Sequence, residues 1–594
     1  MTLRRDGSKR SSVLSARQVP RTLLSAAGRS AFTLALAALT VDAIVDEQAH
    51  AAEPGRPSTV PLPLPDFPSD EPGPRLLPDI PPPLPDSSRP PAPAADAGAR
   101  VVVRRFVFRG NSVVGDADLA RAVAPFTNRP LDGEGLVAAR DAVTLVYLER
   151  GYLTSGAILP EQESDDGTIL IEIVESRITR FETSGRERLR ETFLRRRLGL
   201  ALDGPLHVPR LEARLRRLQR DPRIARVDAQ LLPTNTRGEA RLRLAIEERT
   251  PFRSTLEANN YLAPSLGHVR GRVSAEHLNV SGYGDTLRVL GGAYEGGGEI
   301  EASYRVPVSR FGTEVALSGR WSTSDLLDRL GDELEIEGDF WSTDLDLRQP
   351  LVARPDFDFA TGLIGSLRQS DTELAGEPFD EVGGRTRVFA LRFYQDLLYR
   401  GRDRIVAGRS TVSFGLDALG ATRSSQASIP DGEFVAWLLQ TQWLERFSPL
   451  RLELLVRAEL QLASDPLLSL ERYSSGGRST VRGYRENQLI RDQGGSASAE
   501  LRIPVFSERI GGRPILQLAP FVDVGVALDR RRFTNREKTL LGAGLAVRFA
   551  PKPFVRAELA WASRLTNVPQ PRGLQGDGLH LGIVIDLDPR LMGD

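Results

Sequence analysis

The sequence predicts a mainly β transmembrane barrel of about 16 antiparallel strands, preceded by two small α+β units. Three observations predict it. From about Pro251 onwards, segment after segment alternates with a period of two, as in Leu452, Leu454, Val456, Ala458, Leu460 and Leu462 against Glu453, Arg457, Glu459 and Gln461. Strands of this kind carry one face for lipid and one for water. The segments are even in number, and their lengths approach the ~9 to 11 residues a tilted strand needs to cross a bilayer. Ahead of them, residues 100–249 run twice through the order strand, helix, helix, strand, strand, the signature of an internal repeat.

Composition narrows the function classes. With 594 residues, several domains are expected. The 78 basic and 78 acidic residues cancel, so no global field favours nucleic acid or acidic ligands. Cysteine is absent and histidines number only 5, and no pairing at nucleophile or metal spacing is visible, so neither an enzyme nor a cofactor is expected. Arg4, Arg5, Lys9, Arg10, Arg17, Arg21 and Arg29 precede the apolar stretch Ala31 to Val41, with Ala49-His50-Ala51 as a small-x-small cleavage site. Residues 1–51 therefore read as an export signal. Residues 52–99 hold about sixteen of the chain's 41 prolines between Pro54 and Pro93, which makes an extended, semi-rigid linker.

In the first unit (100–176) the expected strand Val101 to Phe108 turns at Asn111 or Ser112 into a helix from Asp116 to Val123. A second helix, Gly135 to Arg150, carries Leu136, Ala139, Val143, Val146 and Tyr147 at helical spacing and stops at Gly151. Strands at Ala157 to Pro160 and Thr168 to Val174 complete it. The second unit (177–249) starts again at Ile178 to Phe181, with helices Arg186 to Leu198 and Pro209 to Gln219 and strands Ala225 to Leu232 and Ala240 to Glu247. The basic face Arg210, Arg214, Arg216, Arg217 and Arg220 is expected to be solvated.

From 250 to 594, strands are expected near Phe252–Ala258, His268–Leu278, Asp285–Tyr294, Glu299–Val308, Thr313–Ser322, Glu335–Leu347, Phe357–Arg368 and Thr386–Leu397. The second half runs Arg404–Leu416, Glu433–Leu444, Leu450–Leu462, Ala497–Val505, Leu516–Leu528, Leu540–Phe549, Phe554–Arg564 and Leu579–Leu587. A lipid-embedded sheet must close because lipid satisfies no free edge, and Trp321, Trp437, Trp443 and Trp561 suit an interfacial belt. In the thirteenth strand Val522, Val524, Val526 and Leu528 share one face, so Phe521, Asp523, Gly525 and Ala527 share the other. The long loop before the twelfth, about Tyr473 to Gly495, contains Arg482, Gly483 and Tyr484. If it folds into the lumen, Arg482 meets an inward carboxylate, Asp523 first and Glu500 second, and a guanidinium grips a carboxylate bidentately. Gly483 then supplies a tight bend and Tyr484 packs on the inner wall.

The β-α-α-β-β order, with Phe-Arg-Gly-Asn after the first strand and Glu149-Arg150-Gly151-Tyr152 closing the second helix, resembles polypeptide-transport-associated (POTRA) domains. The set Val481-Arg482-Gly483-Tyr484, then Glu500-Leu501-Arg502-Ile503-Pro504, then Phe521-x-Asp523-x-Gly525 with four strands after the twelfth, is similar to outer-membrane insertases and two-partner-secretion transporters. Two POTRA-like units and a Pro-rich start match the haemolysin-activator type of transporter (TpsB), over about residues 100–594. The resemblance implies a Gram-negative outer-membrane barrel with periplasmic POTRA domains. These would capture an unfolded, haemolysin- or adhesin-like exoprotein, which the barrel then translocates. The implied partners are that exoprotein, outer-membrane lipid and the barrel-assembly machinery, with no nucleic acid and no nucleotide cofactor. Two features depart from the pattern. The chain ends Asp588 to Asp594 without the usual terminal aromatic, and no pore-plugging helix is visible ahead of the Pro-rich segment. The alternative function is an insertase of the same superfamily, and the number of POTRA-like units discriminates the two.

Overall fold

The computed structural model describes residues 100–588 except 164–165, 200–201, 328–335, 375–376, 379–383, 425–428, 449, 507–508, 511–512, 531–538 and 570–572. The expected export signal, the Pro-rich linker and the C-terminal segment past Asp588 lie outside the described residues.

The first unit opens with two strands where one was expected. β1 (Val101–Val103) pairs antiparallel with β3 (Arg129–Leu131), whereas β2 (Arg105–Arg109) runs parallel to β5 (Thr168–Val174), which also takes β4 (Gly156–Ile158). The break falls at Arg104, whose N–H turns aside to Gly167 O at 2.8 Å. Helix α1 (Asp116–Val123) and helix α2 (Gly133–Glu149) cover the sheet, burying Leu119, Val143 and Tyr147 against Ile171 and Ile173. Asp132 caps α2 by accepting the Gly135 N–H at 2.9 Å. At the other end Gly151 sits at φ +85°, the Tyr152 N–H reaches Tyr147 O at 2.9 Å and the Gly151 N–H reaches Leu148 O at 3.0 Å. These two bonds make a Schellman stop and explain the Glu-Arg-Gly-Tyr tetrapeptide.

The second unit repeats this plan with β6 (Arg177–Ser184), α3 (Glu191–Leu198), α4 (Val208–Gln219), β7 (Ile224–Pro233) and β8 (Glu239–Glu248). β8 lies between β6, which is parallel to it, and β7, which is antiparallel. Leu194, Leu198, Leu211, Leu215 and Leu218 form the core with Leu242 and Leu244. Helix α3 begins at Glu191, not at Arg186, because the amides ahead of it are already used. The Glu248 carboxylate accepts the N–H groups of Glu187 (2.9 Å), Arg188 (3.1 Å) and Leu189 (2.8 Å), and the Arg190 N–H is donated to Gly282 O at 2.9 Å.

Sixteen long antiparallel strands then close a barrel. They are β9 (Phe252–Asn259), β10 (Arg270–His277), β11 (Thr286–Tyr294), β12 (Gly297–Pro307), β13 (Glu314–Asp325), β14 (Ile336–Ala353), β15 (Phe357–Leu374) and β16 (Arg385–Arg400). Next come β17 (Arg404–Leu416), β18 (Val435–Phe447), β19 (Leu452–Ala463), β20 (Gln493–Pro504), β21 (Leu516–Leu528), β22 (Thr539–Lys552), β23 (Val555–Arg564) and β24 (Leu579–Asp586). The last strand pairs with the first from Gly582 with Asn259 to Asp586 with Thr255, so neither keeps a free edge. The alternation does what period two requires: Val522 on the outer face is 53% exposed, and its neighbour Asp523 on the inner face is 0% exposed. Trp321 and Trp561 face outward and are exposed.

The second unit is seated on the turns at one end of the barrel. Gly284, at φ +78°, leaves its Cβ space to the Phe193 ring of α3. Arg190 donates to Tyr283 Oη at 2.9 Å, Arg223 to Leu278 O and to Thr286 Oγ1 (3.0 Å), and Arg220 to Pro355 O at 3.1 Å. Arg220 of the expected solvated face is thus a docking residue.

Candidate functional site: a hairpin held in the bore

Residues 464–492, between β19 and β20, fold back into the barrel as a hairpin whose arms Tyr473–Ser475 and Leu489–Arg491 pair antiparallel. The following strand starts at Gln493 and not at Ala497, since Gly494 and Gly495 continue the ladder opposite Ala527 and Val526. Glycines that read as loop are here strand residues that make room, as Gly494 does for the Tyr473 ring.

Arg482 lies at the hairpin tip and is 2% exposed. Its guanidinium takes Asp523 of β21 bidentately, Nε to Oδ2 and Nη2 to Oδ1 both at 2.8 Å, and its backbone N–H reaches the same Oδ2 at 3.0 Å. Nη1 reaches Glu500 Oε2 of β20 at 2.6 Å, and Nη2 also donates to Ser498 Oγ at 3.1 Å. The group lies over the Phe521 ring. The two candidate carboxylates therefore share one arginine, where sequence reasoning ranked them as alternatives. Arg502 supports Glu500 from two residues along, Nε to Oε1 at 3.1 Å. Gly483, at φ +96°, donates its N–H to His580 Nε2 at 3.3 Å. The Tyr484 hydroxyl lies between β22 and the 565–578 loop, 3.0 Å from Leu541 O and 2.8 Å from Thr566 O. Gly525 is the residue over which the hairpin lies, since a Cβ there would come within 2.7 Å of Val481.

Sequence reasoning missed the rest of the chain of charges. Arg548 of β22 joins Glu500 (2.8 Å) to Glu558 of β23 (2.9 Å), and Glu558 takes Arg478 from the hairpin at 2.5 Å. Three hairpin-facing carboxylates, Asp523, Glu500 and Glu558, thus alternate with Arg482, Arg548 and Arg478. The available signal was parity: Arg548 and Glu558 fall on the inner face of their strands. Water is largely excluded from this network, where a charge retains its place only if it is paired and hydrogen-bonded.

A closed barrel holding an arginine-tipped hairpin behind two α+β units is matched by known families. The family model of the haemolysin secretion/activation protein ShlB/FhaC/HecB matches residues 238–549, more than half of the chain. The chain belongs to the ShlB/FhaC/HecB family. It is an outer-membrane transporter of the two-partner-secretion type, and the ShlB-type POTRA domain model matches residues 101–176. Among relatives of this ShlB/FhaC/HecB chain, the outer membrane transporter CdiB of Escherichia coli O6:K15:H31 (strain 536 / UPEC) is 25% identical over 444 residues, 70% of this chain and 72% of that one. The heme/hemopexin transporter protein HuxB of Haemophilus influenzae (strain ATCC 51907 / DSM 11121 / KW20 / Rd) is 21% identical over 483 residues, 77% and 82% of the two chains. The solved structure of CdiB from Escherichia coli shares the fold at a TM-score of 0.65 and 21% identity, over 84% of this chain and 93% of that one. The α+β units stand in the periplasm, so the turns that seat the second unit mark the periplasmic end of the barrel and the hairpin enters from outside.

Proposed function

We propose that the two POTRA units capture an unfolded exoprotein on their free sheet edges and hand it, extended, to the barrel, where the grip on Arg482 sets the position of the hairpin in the bore. Among the described residues β2 and β4 edge the first sheet, and β6 and β7 the second. Pairing with an edge uses main-chain hydrogen bonds, which suit a client that presents backbone before it folds. A 16-stranded barrel encloses an aqueous bore, so what occupies that bore governs passage. The observation that carries the reading is the grip itself: one buried arginine held by two inner-wall carboxylates, Asp523 and Glu500, at 2.8 and 2.6 Å. Gly483 and Gly525 permit the close approach, Tyr484 and Phe521 seat it, and Arg502 supports Glu500.

No step needs a catalytic group or a cofactor. Beyond the exoprotein, the partners are outer-membrane lipid around the apolar belt and the barrel-assembly machinery during biogenesis, with no part for nucleic acid. Residues 1–51 direct export and are removed, 52–99 are a spacer, the units occupy 100–176 and 177–249, and the barrel fills 250–594.

Arg482→Ala tests the grip. It leaves two buried carboxylates short of a partner, a loss of about 3–5 kcal/mol for the hairpin seat, yet touches no lipid-facing surface. Secretion of the client, read by immunoblot of the medium, falls more than the amount of heat-modifiable barrel in the membrane. Equal loss of both overturns the reading. The exchange Arg482→Asp with Asp523→Arg is expected to recover part of the secretion that either change alone removes.

A further inference from the structure

The base of the hairpin has a seat of its own, away from the tip. Leu467, Leu468 and Leu470 are buried against Phe340, Val388 and Phe434 on the inner wall. Next to them Glu471 ends a short 3-10 turn, Ser469–Glu471, and is 3% exposed. Arg392 of β16 grips its carboxylate bidentately, Nη2 to Oε1 at 2.6 Å and Nη1 to Oε2 at 3.0 Å, and Arg368 of β15 approaches Oε1 at 3.4 Å. Arg392 is held in turn by Ser413 Oγ at 3.0 Å, and the Glu471 carbonyl accepts from Gln461 Nε2 at 2.9 Å.

Two physical features separate this grip from the one at Arg482. It lies on β15 and β16, whereas the tip is held by β20 to β23, and the hydrogen-bonded partners of Glu471 and of Arg482 have no residue in common. Between the two, Gly476 (φ +112°) and Gly477 (φ +101°) place consecutive residues in a backbone region that side chains disfavour. The bend brings Gly476 against Gln488 and Gly477 against the Glu486 carboxylate of the returning arm, where a side chain would have no room. The bidentate geometry fixes orientation as well as distance, and without Glu471 two buried guanidiniums would be left with Asp344 as the acid near both.

We propose that Glu471 is a second positioning residue of the hairpin: gripped by Arg392 and Arg368, it keeps the hairpin's base on β15 and β16 and so retains the hairpin in the bore when the Arg482 grip is broken. The inference rests on the reading of the hairpin as the element that occupies the bore and governs passage. It adds a grip on the hairpin's base, made by other strands than those that hold Arg482 and Arg478 at the tip.

The chain has no cysteine, so Thr480→Cys, at a site 5% exposed, gives the hairpin a single reporter thiol. The rate of labelling by a membrane-impermeant maleimide on whole cells, and the conductance of the purified full chain in planar bilayers, are compared in that background. Arg482→Ala alone is expected to raise both modestly. Arg482→Ala with Glu471→Ala is expected to label on the order of 100-fold faster than Arg482→Ala, the effect of deleting one partner of a buried ion pair, and to conduct more. Adding the exchange Glu471→Arg with Arg392→Glu to Arg482→Ala returns labelling to the Arg482→Ala rate. Labelling of the double variant no faster than that of Arg482→Ala, or an exchange that restores nothing, overturns the proposal. If Glu471→Ala blocks barrel assembly, Glu471→Gln decides in its place, because it keeps the volume and a hydrogen-bond acceptor while removing the charge. Faster labelling than Arg482→Ala supports the grip, and an equal rate overturns it. Release of the hairpin with client secretion unchanged would leave the positioning role of Glu471 standing and overturn the hairpin's part in transport.

Discussion

The two N-terminal units use the same parts for folding and different parts for placement. In each, a glycine at positive φ follows the first long strand, Gly110 at +91° and Gly185 at +72°, and lies against a backbone carbonyl of the central strand, Ile173 in one and Ile246 in the other. In each, a glutamate at the end of that central strand accepts the amides that come next. Glu175 takes the N–H groups of Ser112 and Val113 at 2.6 and 3.0 Å, as Glu248 takes three in the second unit. The difference lies in the arginines. Arg190, Arg220 and Arg223 of the second unit reach the barrel turns, whereas the first unit meets its neighbour through the edge-on contact of Tyr152 with His207, 5.1 Å between ring centroids, and the Val208 N–H on Gly151 O at 3.0 Å. Parts that recur are demanded by the fold. Parts that do not recur fix one unit to the barrel and leave the other standing away from it.

The largest effect comes from breaking a recurring part. Gly110→Val and Gly185→Val each force a β-branched residue into a left-handed backbone, with a Cβ that meets the carbonyl of Ile173 or Ile246. Each is expected to destabilise its own unit by about 3 kcal/mol or more. Limited proteolysis of the full chain should then cut the altered unit first while the barrel keeps its heat-modifiable mobility. Equal resistance of variant and parent would show that the glycines are incidental.

A smaller effect sharpens the contrast in placement. Arg223→Ala removes the donors to Leu278 O and Thr286 Oγ1 and is expected to weaken docking by about 2–3 kcal/mol, the worth of charged hydrogen bonds that are not replaced. Spin-label distances between the second unit and the barrel should broaden. The control is Arg150→Ala in the first unit, whose partner Asp118 at 2.6 Å lies in the same unit, and it should leave that distance distribution as it was. If both changes broaden it alike, docking is not the arginines' work.

Why some of this was legible in the sequence and some was not follows from the range of the forces involved. Barrel strands are read from a period of two that each segment carries by itself, so sixteen segments were placed, most ends to within about four residues, although β14 and β15 run on to Ala353 and Leu374, past the expected ends Leu347 and Arg368. The same parity put Asp523 in the bore, so a loop folding inward could meet it, whereas the inward fold itself is set by contacts such as Tyr484 with Leu541 and Thr566, far along the chain. Breaks dictated by a distant partner left no local trace. Arg104 turns because Gly167 O is there to accept its N–H, and α3 starts late because Glu248, some sixty residues on, has taken the amides of Glu187 to Leu189. Gly494 and Gly495 read as loop by composition, although they pair with β21. Glu558 and Arg548 were visible as inward charges, but only the closed barrel shows which charge each one meets.

The smallest effect probes the recurring glutamate by pH. Burial pushes the Glu175 carboxyl up, but hydrogen bonds from the Ser112 hydroxyl, the Ser112 and Val113 amides and the Tyr147 hydroxyl outweigh it and hold the group below the usual carboxylate range. A carboxyl whose folded value is depressed stabilises the unit above its unfolded value of about 4.3, and that contribution disappears as the pH falls through the folded value. Glu175→Gln should therefore cost the first unit about 1.5 kcal/mol at neutral pH, the lower end of what a charged hydrogen bond contributes, and nothing in strong acid. Amide hydrogen exchange of residues 112–123 in the full chain reads it out: variant and parent should differ at pH 7 and converge as the carboxyl protonates. A constant offset at every pH would mean that shape, and not charge, is what this position supplies, and the parallel with Glu248 would then be one of geometry alone.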